Sequence, residues 1–294
     1  MRFLVLGATG TVGSNVVREL LSRRQQVRVL SRHADKARAL GAEVEVVTGD
    51  ILDPVVARSV FAGVDGAFIL NPVSLTEAAE GLMAVSGAMD AGVKRLAYLS
   101  VHHVDRAPQL PHFGSKLAVE AAVRASGARW TILRPNNFHQ NDAWFRDTML
   151  QHGVYPQPLG SAGVSRVDVR DIAELAALAL TTDGLDGTSY DLVGPRALSG
   201  PESAAIWSRA LGRPVAYGGD DLERWEQQSL QYMPAWMVYD FRLMYREFQR
   251  HGLRGTEADV ATLTRVLGHT PRSLEAYAQE CAKAWATEAA AAPR

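Results

Sequence analysis

The stretch that most constrains this 294-residue chain lies near its start. An apolar run, Phe3-Leu4-Val5-Leu6, passes at once into Gly7-Ala8-Thr9-Gly10-Thr11-Val12-Gly13. A helical pattern over Ser14–Arg24 follows, with Val16, Val17, Leu20 and Leu21 on one face. A strand that must turn into a helix within a few residues has little room for side chains. Gly7 supplies the tight turn, Gly10 lets backbone approach a pyrophosphate, and Gly13 lets the helix pack close to the strand. The helix start offers unpaired amides and the positive end of its dipole to an anion. A lone glycine pattern is weak, since a plain strand-to-helix turn can carry it. Strand, turn and helix in this order together predict a dinucleotide-binding turn over residues 7–13.

The rest of the first half repeats the same alternation. Val27–Leu30, Val44–Val47, Ala67–Leu70, Leu96–Leu99 and Trp130–Leu133 are short apolar runs of strand length. Helical patterns lie between them at Ala34–Leu40, Pro54–Phe61, Thr76–Asp90 and Phe113–Ala125. Such alternation predicts an α/β protein: a doubly wound parallel sheet of the Rossmann type with right-handed crossovers. After Pro135 the rhythm changes. Asn136–Leu150, Asp171–Leu180, Pro201–Ala210, Leu222–Gln249 (broken at Pro234) and Ser273–Ala286 read as helices, with Thr270 or Ser273 capping the last, and Ser189–Val193 as a strand. The expected division is a cofactor domain over 1–135 with returns at about 165–195, and a smaller, mainly helical lobe over 136–294 for the substrate. The alanine-rich tail at 289–292 is expected to fray.

Hydrophobic residues at 47% and charged residues at 21% describe a globular chain. Lys plus Arg against Asp plus Glu, 31 − 32, leaves a net charge of −1. That balance speaks against a general nucleic-acid binder, though not against a local basic patch. The single cysteine, Cys281, excludes an internal disulfide framework and a Cys-rich metal site. His102-His103 lack a facing carboxylate at ligand spacing, so no metal is expected. The first apolar run stops at Gly7, too short for an export signal or a membrane span, and a cytoplasmic protein is expected.

The second strand bears on the choice of dinucleotide. Enzymes that use NAD place Asp or Glu at its end to bond the ribose 2′-hydroxyl. Here the strand ends in Ser31-Arg32 with no carboxylate. A guanidinium pairs with a 2′-phosphate and a hydroxyl adds a contact, which predicts NADP(H) over NAD(H). The alternative is a solvated strand-end arginine. Asn71-Pro72 after the fourth strand and Asn137-Phe138 after the sixth are expected to border cofactor and substrate, because ligands bind at the carboxyl edge of open α/β sheets. Asn is also common in ordinary turns.

The spacing G-x-x-G-x-x-G within Gly7-Ala8-Thr9-Gly10 onward resembles that of the extended and atypical short-chain dehydrogenases/reductases. Gly49-Asp50, Leu133-Arg134-Pro135, Val167-Asp168-Val169-Arg170-Asp171-Ile172-Ala173 and Tyr190-Asp191-Leu192-Val193-Gly194-Pro195 fall at similar intervals. Together they resemble the NmrA-like branch over roughly residues 1–290, with Leu222–Arg250 carrying no matching motif. The resemblance implies that Asp50 and Ile51 flank the adenine, although a turn or cap role for Asp50 stands beside it. Typical members work with Ser after the fifth strand and a Tyr-x-x-x-Lys pair on the next helix. This chain has Ser100 and Lys116, but His112 where the tyrosine would stand. Two readings stay open. Lys116 holds the ribose hydroxyls while His112 or an ordered water handles the proton, or the site senses the cofactor without turnover and binds a protein partner. An epimerase or dehydratase fits less well without the tyrosine. For His112 alone the plain reading is a surface residue near a helix start.

Between Leu222 and Phe248 lie Trp225, Tyr232, Trp236, Tyr239, Phe241, Tyr245 and Phe248 with Met233, Met237 and Met244. Such a stripe serves core packing, a homodimer contact, or the wall of a pocket for a flat, apolar or aromatic acceptor such as a quinone or ketone. The expected activity is NADP(H)-dependent hydride transfer to such an acceptor.

Overall fold

The computed structural model describes residues 1–291, with side chains to 288; the tail at 289–292 lies outside the described side chains. The chain divides into two compact units, Met1–Pro135 with Val169–Leu192, and Asn136–Asp168 with Val193–Arg294.

The first unit is built on seven parallel strands: β1 (Arg2–Val5), β2 (Gln26–Ser31), β3 (Glu45–Thr48), β4 (Gly66–Ile69), β5 (Arg95–Leu99), β6 (Arg129–Pro135) and, in sequence after the insertion of 136–168, the strand Thr188–Leu192. The helices between them are α1 (Thr11–Ser22), α2 (Ala34–Arg38), α3 (Pro54–Ser59), α4 (Glu77–Asp90), α5 (Pro111–Ala125) and α6 (Val169–Thr181). The second unit contributes β7 (Val154–Tyr155) ahead of α6, so the last strand of the large sheet is β8. Strand order is β3-β2-β1-β4-β5-β6-β8. The order reverses between β1 and β4, which makes that gap the switch point where open α/β sheets bind ligands.

Successive strand residues point to opposite faces, and here both faces are covered. Leu4, Leu6, Ala67, Ile69, Leu96, Tyr98 and Ile132 pack against Ala57, Phe61, Ala84, Val85, Val119 and Val123 of the α3–α4–α5 layer. The opposite face takes α1 and α6, which also pack on each other. Local chemistry fixes the helix starts. Asp53 Oδ1 accepts from Val55 N at 2.8 Å, and Pro54 follows at the first helical position, where a missing N–H costs nothing. Pro111 opens α5 in the same way, so this helix begins two residues before the expected Phe113 and includes His112.

The second unit holds α7 (Gly200–Leu211), α8 (Leu222–Ser229), α9 (Ala235–His251), α10 (Glu257–Leu267), α11 (Leu274–Ala291) and a two-stranded parallel pair of β7 with β9 (Ala216–Tyr217). Asn136–Leu150 is not the α-helix expected. Asn136 spends its side chain on backbone, donating to Leu253 O at 2.7 Å and accepting from Asn137 N at 2.8 Å. Phe138 is extended and bridges Val167. Only a 3₁₀ turn over His139–Phe145 and a wide turn over Thr148–His152 follow. Ser273 rather than Thr270 caps α11, its Oγ accepting from Ala276 N at 3.2 Å. Helix α10, β7 and β9 are additions to the expected elements. The core of this unit joins Trp207, Trp225, Tyr245, Phe248 and Trp285.

Candidate active site

The glycine turn has the strain and closeness its spacing implies. Gly7 sits at φ +67°, and a Cβ there would fall 2.4 Å from Leu70 Cδ2. At Gly13 a Cβ would stand 2.2 Å from Gly7 O and 2.8 Å from Ala8 Cα, both backbone atoms that cannot step aside. Gly10 is exposed and precedes α1, whose first turn carries no acidic residue and no side-chain cap. The helix thus keeps its positive end for something else. Thr9 and Thr11 are exposed beside it, while Ala8 and Val12 are buried.

Because the strands are parallel, Ser31, Asp50, Asn71 and Ser100 follow or end their strands at one carboxyl edge of the sheet, beside this turn. Ser31 is buried, its Oγ accepting from His33 N at 3.1 Å. Arg32 is exposed and sits 3.8 Å from Asp50 Oδ2. Asp50 is itself a turn residue, its Oδ1 accepting from Leu52 N at 2.9 Å. The side chain of Ile51 is packed into the hydrophobic core rather than displayed at the edge. Pro72 is exposed, and Asn71 is buried with its Oδ1 lacking a hydrogen-bond partner among the described residues. Asn137 and Phe138 belong to the second unit. There Asn137 Oδ1 accepts from Arg166 Nε at 3.2 Å and Phe138 O from Arg166 Nη2 at 2.7 Å.

Next to this edge lies a layer of buried charge, of which the sequence pattern showed Lys116 but not its partners. Lys116 donates from Nζ to Glu77 Oε1 at 2.7 Å, with side chains 9% and 1% exposed. Glu120, one turn after Lys116 on α5, accepts from Arg134 Nε at 2.9 Å and Nη2 at 2.8 Å, and from Arg124 Nη2 at 2.8 Å. Burial raises the Glu120 carboxyl, but the hydrogen bonds from Arg134 and its other partners prevail and hold it below the usual carboxylate range. Tyr98 lies inside the same layer. Burial, then the charges of Glu77 and Glu120, push its phenol well above the ordinary value. Its hydroxyl has no partner among the described residues. His112 is buried, not the surface residue of the plain reading, with Phe113 edge-on at 4.7 Å. His112, Lys116, Glu120 and Arg124 recur at intervals of four along α5. That spacing was the available signal for Glu120; Glu77 sends none, lying 39 residues from its partner.

The second unit has its own buried ion pair. Asp142 accepts from Arg166 Nη1 at 2.9 Å and Nη2 at 2.7 Å, from Tyr155 OH at 3.0 Å, from Trp207 Nε1 at 2.8 Å and from Gln157 Nε2. His139 is nearly sealed, and burial with the nearby Arg166 charge pulls its imidazole down to about 4.

A glycine-lined turn, an unclaimed helix start, an orphaned Asn71 oxygen and an exposed arginine at one sheet edge suit a dinucleotide. Fold and edge define a nucleotide-binding α/β protein of the Rossmann type. The chain belongs to the NmrA-like family, whose profile matches residues 1–278. The NAD(P)H azoreductase of Xenophilus azovorans is 34% identical over 96% of this chain and 98% of its own length. A (4-alkanoyl-5-oxo-2,5-dihydrofuran-3-yl)methyl phosphate reductase of Streptomyces griseus subsp. griseus is likewise 34% identical, over 97% of this chain and 99% of its own. Among solved structures, the Citrobacter sp. triphenylmethane reductase complexed with NADP(H) superposes with a TM-score of 0.84 at 25% identity, covering 95% of this chain and 99% of that one.

Proposed function

We propose that this chain is an NADP(H)-dependent oxidoreductase that reduces an apolar or aromatic acceptor such as a quinone, ketone or azo compound. The observation that carries the reading is the buried Lys116–Glu77 pair at the same sheet edge as the glycine turn. The near full-length likeness to two curated reductases supports it. When bound, NADPH supplies the hydride. The chain's own residues do the rest. Gly7, Gly10 and Gly13, with the free amides of α1, hold the diphosphate. Arg32 leaves its loose, exposed partner Asp50 for the 2′-phosphate, since such a surface pair costs little to break. Lys116 offers a fixed ammonium to the ribose hydroxyls, and His112, four residues before it on α5, relays the proton the acceptor needs.

Three exposed aromatic side chains, Trp144, Tyr232 and Tyr239, are available for apolar contact. If these aromatics instead join two copies of the chain, Tyr239→Ala leaves the acceptor KM unchanged and alters the oligomeric state. The test of the main reading is loss of reduced-nicotinamide absorbance with a panel of naphthoquinones, aromatic ketones and azo dyes. Turnover with one of them is expected. Stoichiometric NADPH binding without any oxidation would refute the enzyme and leave a sensor.

A further inference from the structure

Glu77 has no task in the reading above, yet the fold commits two helices to bringing it to Lys116. It opens α4, is almost fully buried, and meets Lys116 Nζ at 2.7 Å. One turn further along both helices, Gly81 of α4 faces Val119 of α5. A Cβ on Gly81 would lie 2.5 Å from Val119 Cγ2 and 3.0 Å from Asn71 Oδ1. The missing side chain lets α4 approach where the ion pair forms. Lys116 also has a nearer candidate in sequence. Glu120 is its i, i+4 neighbour, a spacing at which side chains on a helix meet, although Lys before Glu is the less favoured order. Glu120 is instead claimed by Arg134 from β6 and Arg124 from its own helix, with Tyr98 of β5 beside both carboxylates. Two buried carboxylates thus have separate cations, and the lysine is turned from its own helix towards α4. Burying opposite charges is unfavourable unless the geometry is good, and a pair retained for specificity needs a use.

We propose that Glu77 is the positioning residue of the site: it holds the Lys116 ammonium in one orientation towards the dinucleotide ribose and away from Glu120. This rests on Lys116 serving the dinucleotide, as put forward above. The test is a double-mutant cycle on the full chain with Glu77→Gln, Lys116→Met and both together. It is read by the Kd for NADPH and by kcat/KM with a naphthoquinone. Each single change is expected to lower kcat/KM roughly ten- to hundredfold, the worth of one charge-assisted hydrogen bond. The double variant should be no worse than Lys116→Met alone, because Glu77 acts only through the lysine. Glu77→Asp should restore part of the loss.

Unaltered binding and turnover in Glu77→Gln, or losses that multiply in the double variant, would overturn the proposal. Should Glu77→Gln fail to fold, the double variant, free of both charges, still decides: equality with Lys116→Met supports the proposal and a further loss overturns it. A Lys116→Met protein as good as wild type removes the role of Lys116 and this proposal with it. A defective Lys116→Met beside an intact Glu77→Gln overturns the positioning role alone.

Discussion

Replacing Glu120 by Gln should cost the first unit more than any other single exchange on α5. Its carboxylate is fully buried and grips Arg134, whose side chain is only 16% exposed, through two bonds at 2.9 and 2.8 Å. Removing one member of such a pair leaves the other charge stranded, at about 3–5 kcal/mol. Arg124 is 39% exposed and adds less than about 1 kcal/mol, because water replaces its partner. A loss of about 4 kcal/mol would lower the melting temperature by roughly 8–16 °C in a chain of this size. The effect also has a pH signature. The folded Glu120 carboxyl titrates below its unfolded counterpart, so its contribution is complete above the unfolded range of about 4.3 and is lost as pH falls through the lower, folded value. Wild type should therefore lose stability steeply below that range, and Glu120→Gln should start lower and fall less. Urea unfolding between neutral and acid pH measures both, with hydrogen exchange at β5 and β6 isolating this unit. A variant within about 1 kcal/mol of wild type at neutral pH would refute the reasoning, as would an acid limb of the same steepness.

Arg32→Ala should reduce the preference for NADPH over NADH about tenfold or more, and an unchanged ratio of the two Kd values would return Arg32 to a solvated strand end. Gly13→Ala should abolish tight dinucleotide binding in a calorimetric titration, because its Cβ would stand 2.2 Å from a backbone oxygen of the turn; wild-type affinity would show that the turn is not the phosphate cradle. Gly81→Ala, which alters no charge, should cost about 1–3 kcal/mol by overpacking and lower kcat as well, since it pushes α4 from α5. A melting shift without loss of turnover would separate that packing from the site.

The fold of the first unit was legible because its signals are local. β-branched runs, Gly7 to Gly13 and the caps each act within a few residues, and they agree with one another. The charged layer was not legible. On α5, Glu120 carries no local mark of burial, and only the packing of α4 and β6 against that helix reveals it as a buried partner of Arg134. The same holds for Asp142 and Arg166, whose pairing depends on a turn the helical pattern at 136–150 concealed. There Asn136 and Phe138 commit backbone and side chain to Leu253 and Val167, contacts that override helix propensity. By contrast α10 carried a readable mark, the reciprocal bonds of Thr256 and Asp259. The aromatic segment proved divided: Trp225, Tyr245 and Phe248 are core, whereas Tyr232 and Tyr239 are exposed.

The late return of residues 169–192 bears on how the protein is made. Helix α1, which carries the glycine turn, packs on α6, and β6 finds its outer partner in β8. The α1–α6 contact joins segments separated by on the order of 150 residues, a long loop to close and hence a slow step. A nascent chain emerging from the ribosome as far as residue 168 would hold the whole glycine turn, yet with one flank of its helix bare and β6 as an unprotected edge open to other strands. Competence to bind a nucleotide is thus delayed until the chain has passed through the first part of a different body and come back.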